Sequence, residues 1–205
     1  STWSPTWTTT GISLPEETED LNIAVKVTDL AGNWDTGGIT VAYSGGGTAC
    51  SGVEGNNATT EAGFISYGAN NVILKKITID CGGTPSSINA RTRNTFDSST
   101  EIAFCVYADD NGSPGNRLWY GSPMYHSGSE NKTQTLSDTS IDYNFSAGDY
   151  WIGFVTEVSG RWYYSSTTGG TVYRWNSGIT FSTPPASLGE PYETQAYDLS
   201  GWLVF

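Results

Sequence analysis

A chain of 205 residues with a formal net charge of −12 and only nine Lys plus Arg concentrates no positive charge to displace the counterions condensed on phosphates, so nucleic acid is not an expected partner. An anionic membrane leaflet repels the same charge, and no apolar run reaches the roughly 18 residues that a spanning helix needs, so membrane insertion is not expected either. The length suits one large domain or a small β unit beside a larger one, and eight Trp, twelve Tyr, seven Phe and 25 Gly suit short strands joined by tight turns.

Residues 1–20 read as an irregular lead-in, with Trp3 and Trp7 among Ser, Thr and Pro and an acidic end at Glu16, Glu17, Glu19 and Asp20. Ser1-Thr2-Trp3-Ser4-Pro5 has neither the basic start nor the apolar stretch of a signal peptide. A signal already removed and an initiator Met trimmed before Ser1 are both left open. Residues 21–27 alternate, with Leu21, Ile23, Val25 and Val27 on one face, which predicts a half-buried strand. Ala31-Gly32-Asn33 supplies a turn, and a second strand is expected over 38–43, stopped by Gly45-Gly46-Gly47. The glycine-rich stretch 44–55 reads as a soft boundary, giving residues 1–54 as a lead-in with a two-strand segment and 55–205 as a sandwich. Two strands are too few to bury a face alone. They are expected to dock on the larger unit or on a neighbouring subunit, and strand donation between chains is one route to the second.

Further strands are expected over 72–79, 101–107, 117–120 and 148–155, with turns at Gly82-Gly83, Asp110-Asn111-Gly112 and Pro114-Gly115. Residues 161–164 and 171–175 flank Thr167-Thr168-Gly169-Gly170, a hairpin signal. The chain closes on an apolar strand, Gly201 to Phe205. Strands recurring at short intervals, with no sustained helical spacing, define an all-β chain: an antiparallel β-sandwich, jelly-roll-like.

From about Glu61 onward, the strand Ile102 to Tyr107 running into Ala108-Asp109-Asp110-Asn111-Gly112-Ser113-Pro114-Gly115-Asn116-Arg117-Leu118 resembles a β-sandwich module of phage tail and fibre proteins and of bacterial secreted or surface proteins. Ser146-Ala147-Gly148-Asp149-Tyr150-Trp151-Ile152-Gly153-Phe154, a Tyr-rich hairpin after it, Pro184-Pro185 and a short last strand follow in the same order. The opening Trp3-Ser4-Pro5-Thr6-Trp7 is similar to the start of some small phage structural proteins. The resemblance implies a sandwich that works in adhesion, carbohydrate binding or particle assembly, and fold alone does not choose among these.

The densest aromatic group is Trp162, Tyr163, Tyr164, Tyr173 and Trp175, with Arg161 and Arg174 beside it. Rings stack on pyranose faces, so Trp162, Tyr164, Tyr173, Trp175 and Arg174 are the candidate glycan contacts. Because alternate residues of a strand share a face, part of this group must instead be core. Asp109, Asp110 and Asn111 gather the oxygen ligands that calcium prefers, though the closing Glu of an EF-hand loop is missing and a plain turn is the competing reading. No other cofactor is expected. Three cysteines permit at most one bridge. Cys50 and Cys81 lie beside glycine-rich turns that could accommodate one, and whether they pair is left open. Cys105, inside an apolar run, reads as a small buried hydrophobe. The four Asn-x-Ser/Thr sites, at Asn57, Asn111, Asn131 and Asn144, are close to chance for this composition.

Glycan hydrolysis needs two carboxylates facing each other across a cleft. The better-placed pair is Glu101 and Glu157, but neither sits in a motif of the small jelly-roll glycanases, and an edge carboxylate ordinarily discourages edge pairing. His126, the single histidine, is expected in a loop and lacks the Gly-x-Ser-x-Gly context of a nucleophile elbow. The expectation is therefore a non-catalytic structural or adhesive protein at a virion or extracellular surface. Its expected partners are copies of itself, other structural proteins of a particle or filament, and surface glycans. A carbohydrate-binding module of a secreted protein and a filament subunit built by strand exchange are the alternatives.

Overall fold

The computed structural model describes residues 21–28, 34–41, 49–94, 100–126, 133–157, 159–176, 179–181 and 183–205; side chains are described from residue 49 onward, except those of residues 94, 100, 101 and 126. Among the described residues every regular element is a strand. The chain divides into two compact units, residues 1–47 and Thr48–Phe205. The first contains β1 (Leu21–Thr28) and β2 (Trp34–Val41), paired antiparallel from Leu21↔Val41 to Thr28↔Trp34. The lead-in over 1–20, the turn at 31–33 and the glycine stop at 45–47 lie outside the described residues.

The second unit is an antiparallel sandwich of two sheets. Sheet I is organised on β6 (Ser87–Asn94), which pairs along one side with β10 (Thr133–Asp138). Its other side is shared: β12 (Gly160–Ser166) takes residues 92–94 and β16 (Gly201–Val204) takes 87–90. From there β12 pairs outward with β4 (Gly63–Tyr67), and β16 with β3 (Val53–Gly55). β15 (Asp198–Leu199) pairs with β12 just ahead of β16. Sheet II runs β14 (Glu193–Gln195), β13 (Val172–Trp175), β5 (Val72–Ile79), β11 (Gly148–Thr156), β7 (Thr100–Asp110) and β8 (Ser113–Tyr120). β9 (Met124–His126) also pairs with β7.

Alternation decides which side chains meet between the sheets. Ile73, Ile77 and Ile79 of β5, Ile102, Phe104 and Val106 of β7, and Ile152 and Phe154 of β11 face Ile65, Tyr67, Ile88, Ala90, Trp162 and Leu203 of sheet I in one core. Phe154 is its centre, with ring centroids 4.6 Å from Trp162, 5.5 Å from Tyr67 and 6.1 Å from Phe104. Each such side chain contributes roughly 1.5–3 kcal/mol by leaving water.

Sheet II is apolar on its second face as well. Val72, Leu74, Ala103, Cys105, Tyr107, Trp151, Val155 and Trp175 form another buried cluster, capped by Ile179, Phe181 and Leu188. Hydrogen bonds fasten this strap. Tyr107 donates its hydroxyl proton to Pro185 O (2.8 Å), the Arg117 amide donates to Ala186 O (2.8 Å), and Trp175 Nε1 donates to Gly189 O (2.7 Å). Burial on both faces explains why β5, β7 and β11 read as nearly continuous apolar runs.

Three local expectations are corrected, the first being the turn at Pro114-Gly115, which lies inside β8 with Pro114 opposite Asp109. Residues 161–164 and 171–175 do not form a hairpin: β12 belongs to sheet I and β13 to sheet II. The edges of β12 are occupied by β4 on one side and by β6 and β15 on the other. The Gly169-Gly170 pair instead passes the chain between sheets, and Gly170 lies so close to Tyr197 that an added Cβ would sit 2.0 Å from its carbonyl oxygen. Residues 124–126, expected in a loop, form β9, where Thr100 pairs with His126.

Candidate functional site

The aromatic group does not assemble on one face. Trp162 is 1% exposed and lies between the sheets, its Nε1 donating to Ser200 O at 2.9 Å. Tyr164 stacks on Tyr197 at 4.4 Å. Trp175, 5% exposed, and Tyr173 belong to the outer cluster of sheet II, where Tyr173 stacks on Trp151 at 4.7 Å. Arg174 pairs with Glu193 and donates to Ser66 O at 2.7 Å. Each of these side chains has a packing role within the unit, and the alternation that parts Trp162 from Tyr163 places Tyr163 on the outer face of sheet I.

Asp109, Asp110 and Asn111 do not converge on a common point. Asn111 and Gly112 both have positive φ (54° and 88°) and form the two-residue turn from β7 to β8, the geometry that an Asn-Gly pair favours. Asn111 Nδ2 donates to Asp110 Oδ1 at 2.9 Å. Asp109 points the other way, to the outer face of sheet II. Its Oδ2 accepts the Gly112 amide (2.9 Å), and its Oδ1 accepts Trp151 Nε1 (2.7 Å) and faces Lys76 Nζ (3.1 Å). Burial pushes this carboxyl up, but the Gly112 amide, the Trp151 indole and Lys76 outweigh it and hold it below the usual carboxylate range. Lys76 also meets Asp149 at 2.8 Å. That contact leads the interactions that raise the ammonium above its ordinary value, and the same contact holds Asp149 low.

Cys50 and Cys81 are joined in a disulfide with Cα atoms 4.9 Å apart. They fasten the segment ahead of β3 to the end of β5. Glu54 approaches the bridge, but sulfurs bonded to each other are not thiolate ligands. Cys105 is fully buried, and burial pushes its thiol up. Glu157 is exposed just past the end of β11, and the side chains of Glu101 and His126 lie outside the described residues.

Sequence reasoning passed over two features. Lys75 lies on the inner face of sheet II between Ile73 and Ile77, 3% exposed, with Nζ 3.1 Å from Asp198 Oδ1 and 2.7 Å from Leu199 O. Burial pulls this ammonium below the usual lysine value, partly offset by Asp198. The Lys75-Lys76 pair reads as one polar spot, although alternation sends the two side chains to opposite faces.

The second feature is a row across the outer face of sheet I. Thr133, Arg93, Arg161 and Ser66 are directly opposite one another on β10, β6, β12 and β4. Arg93 and Arg161 are thus a cross-strand pair of like charges. Arg91, two residues along β6, is neutralised by Glu61 (2.6 Å). Among the described residues neither Arg93 nor Arg161 forms an ion pair, and the Nε atom of each is buried without a hydrogen-bond partner. Arg161 lies over the Phe64 ring at 4.0 Å, and Phe64 is 39% exposed. The Tyr163 hydroxyl accepts from Thr133 Oγ1 (3.0 Å) and from Arg93 Nη1 (3.5 Å). The sequence signal was the Arg-x-Arg alternation at Arg91 and Arg93, which a search for acids and aromatics does not weigh.

Compared with known proteins, the chain matches no family model and no curated protein sequence.

Proposed function

We propose that the chain is a non-catalytic structural or adhesive surface module, in the first place a virion component of the tail, fibre or capsid-decoration kind, which works by contact. The observation that carries this reading is the asymmetry of the sandwich. Sheet II is covered on both faces, by the core and by the strap of Ile179, Phe181 and residues 183–189, whereas sheet I leaves Phe64, Ser66, Thr135 and Ser137 of its outer side exposed. A sheet whose outer side exposes side chains along its edge strands β4 and β10 suits surface attachment better than turnover, which favours a cleft with converging acid and base.

The test pairs two measurements on the whole chain. Light scattering after size exclusion, at rising concentration, is expected to show ordered multimers. Incubation with polysaccharides is expected to release no new reducing ends. A strict monomer with no surface affinity, or any sustained glycan cleavage, overturns the reading.

The disulfide favours a second reading in the same spirit, a carbohydrate-binding module of a secreted or cell-surface protein, because such bridges persist in oxidising compartments. Glycan binding by the monomer, without assembly, would select it.

A further inference from the structure

We propose that the outer face of sheet I carries an anion site, centred on Arg93 and Arg161, that takes the carboxylate of an acidic sugar. The proposal rests on the adhesive reading and deepens it by naming the ligand class.

Like charges directly opposite on neighbouring strands repel each other, and this chain has few cations to spend in such a pair. Of its nine Lys plus Arg, two face each other across the β6–β12 register, with no carboxylate in salt-bridge range among the described residues. An arginine offers five donors in a planar fork that matches a carboxylate. With both Nε atoms buried, the Nη ends are what remains for an incoming acceptor.

Tyr163 supplies an independent observation. It is 4% exposed, and its oxygen already accepts from Thr133 and Arg93. Its own proton is therefore left to donate, 3.5 Å from Arg93 Nη1. Three donor groups, two of them charged, thus share the outer face of two neighbouring strands, and among the described residues no carboxylate pairs with either arginine.

The surroundings select a sugar. Phe64 makes a T-shaped contact with Tyr163 at 6.2 Å, carries Arg161 over one face of its ring and leaves 39% of its surface exposed to meet the apolar side of a pyranose, and the hydroxyls of Ser66 and Thr135 line the adjoining exposed positions. The sandwich unit itself carries 15 Asp plus Glu against 8 Lys plus Arg, an excess that selects an isolated carboxylate over a polyanion. Charges more than about 8 Å away are screened at physiological salt, so one carboxylate feels mainly the arginine pair. A long polyanion runs out over the acidic remainder of the surface.

The probe is a trisaccharide with one terminal glucuronate, titrated calorimetrically into the whole chain beside its neutral counterpart and a heparin-type polysulfated oligosaccharide. The glucuronate form is expected to bind at least ten-fold more tightly than either. Arg93→Gln and Arg161→Gln are each expected to cost at least ten-fold in affinity while leaving the thermal midpoint equal or higher, since each relieves the repulsion. A merely structural role would lower the midpoint instead. Equal binding of the neutral or polysulfated probe, no binding of the glucuronate form, or affinity unmoved by both substitutions overturns the site. If the chain still assembles or attaches to surfaces in those cases, the ligand assignment falls and the adhesive reading stands.

Discussion

The indole of Trp151 donates its proton to Asp109 Oδ1 across 2.7 Å, joining neighbouring strands β11 and β7 on the outer face of sheet II. The same carboxylate takes the turn amide of Gly112 and faces Lys76, so one acid orients a tryptophan, a turn and a lysine together. Its chemistry is structural, and its pH dependence should show it.

Asp109 and Asp149 are both held below their ordinary values. The sign follows: their stabilisation is fully present above the unfolded carboxylate pKa of about 3.9 and is lost as pH falls through the depressed folded values. Asp109→Asn should lower unfolding free energy at neutral pH by about 1–3 kcal/mol, the cost of disturbing a part-buried, charge-assisted hydrogen-bond set. The gap between wild type and variant should close in strong acid, where both side chains are uncharged. Urea midpoints taken at neutral pH and well below the carboxylate range measure it, and a gap that stays constant with pH would contradict the assignment.

Asp198 is the sole carboxylate given to the buried Lys75 among the described residues, and its own side chain is 35% exposed. Removing it should therefore cost more than deleting an ordinary surface pair, because the ammonium is left in the core without a counter-charge. Asp198→Asn is expected to destabilise by about 3 kcal/mol, at the low end for a broken buried pair because Asp198 is partly solvated. Lys75→Met combined with Asp198→Asn should recover much of the loss, since no charge then remains to desolvate. A double variant no more stable than Asp198→Asn would refute this account. Chemical denaturation of the three proteins decides it.

How much was legible in the sequence depends on what each residue packs against. β5, β7 and β11 were readable because Ile73, Phe104 and Phe154 repeat with Leu74, Cys105 and Val155 on the opposite face, so hydropathy alone marked them. β6 was missed because Ile88 and Ala90 are its sole apolar contributions to the core, while Asn89, Arg91 and Arg93 occupy the other face. β10 likewise offers only Leu136 to the core. The aromatic segment misled for a different reason. Thr167 to Gly170 has hairpin chemistry, but the partners of β12 and β13 are fixed by distant strands, and local turn preference cannot register that. The arginine row shares this origin, since Arg93 and Arg161 meet only through non-local pairing.

The Cys50–Cys81 bridge closes a sequence separation of 31 residues. Loop-closure entropy for that span gives about 3–4 kcal/mol of stabilisation. Cys50→Ser with Cys81→Ser should lower the urea midpoint accordingly. In the unreduced native protein, Cys105 should resist thiol reagents, because it is buried and its thiol is pushed up. Denaturant without reductant should then expose a single reactive thiol. Three reactive thiols under those conditions would show that the bridge does not form.

Trp175 is the residue that separates packing from recognition most sharply. It is 5% exposed, donates to Gly189 O, and sits under the strap with Ile179, Phe181 and Leu188 in the outer cluster. Trp175→Ala should therefore cost about 3–5 kcal/mol through cavity formation and a lost hydrogen bond. Loss of glycan binding in that variant would then reflect a loosened sheet II and would say nothing of ligand contact. Trp175→Phe keeps most of the ring volume and should recover much of the stability. Under conditions where both variants stay folded, carbohydrate affinity is expected to equal that of the wild type, since the arginine row lies on the other sheet. A folded Trp175→Phe protein that has lost sugar binding would put the binding face on sheet II and overturn this division of labour.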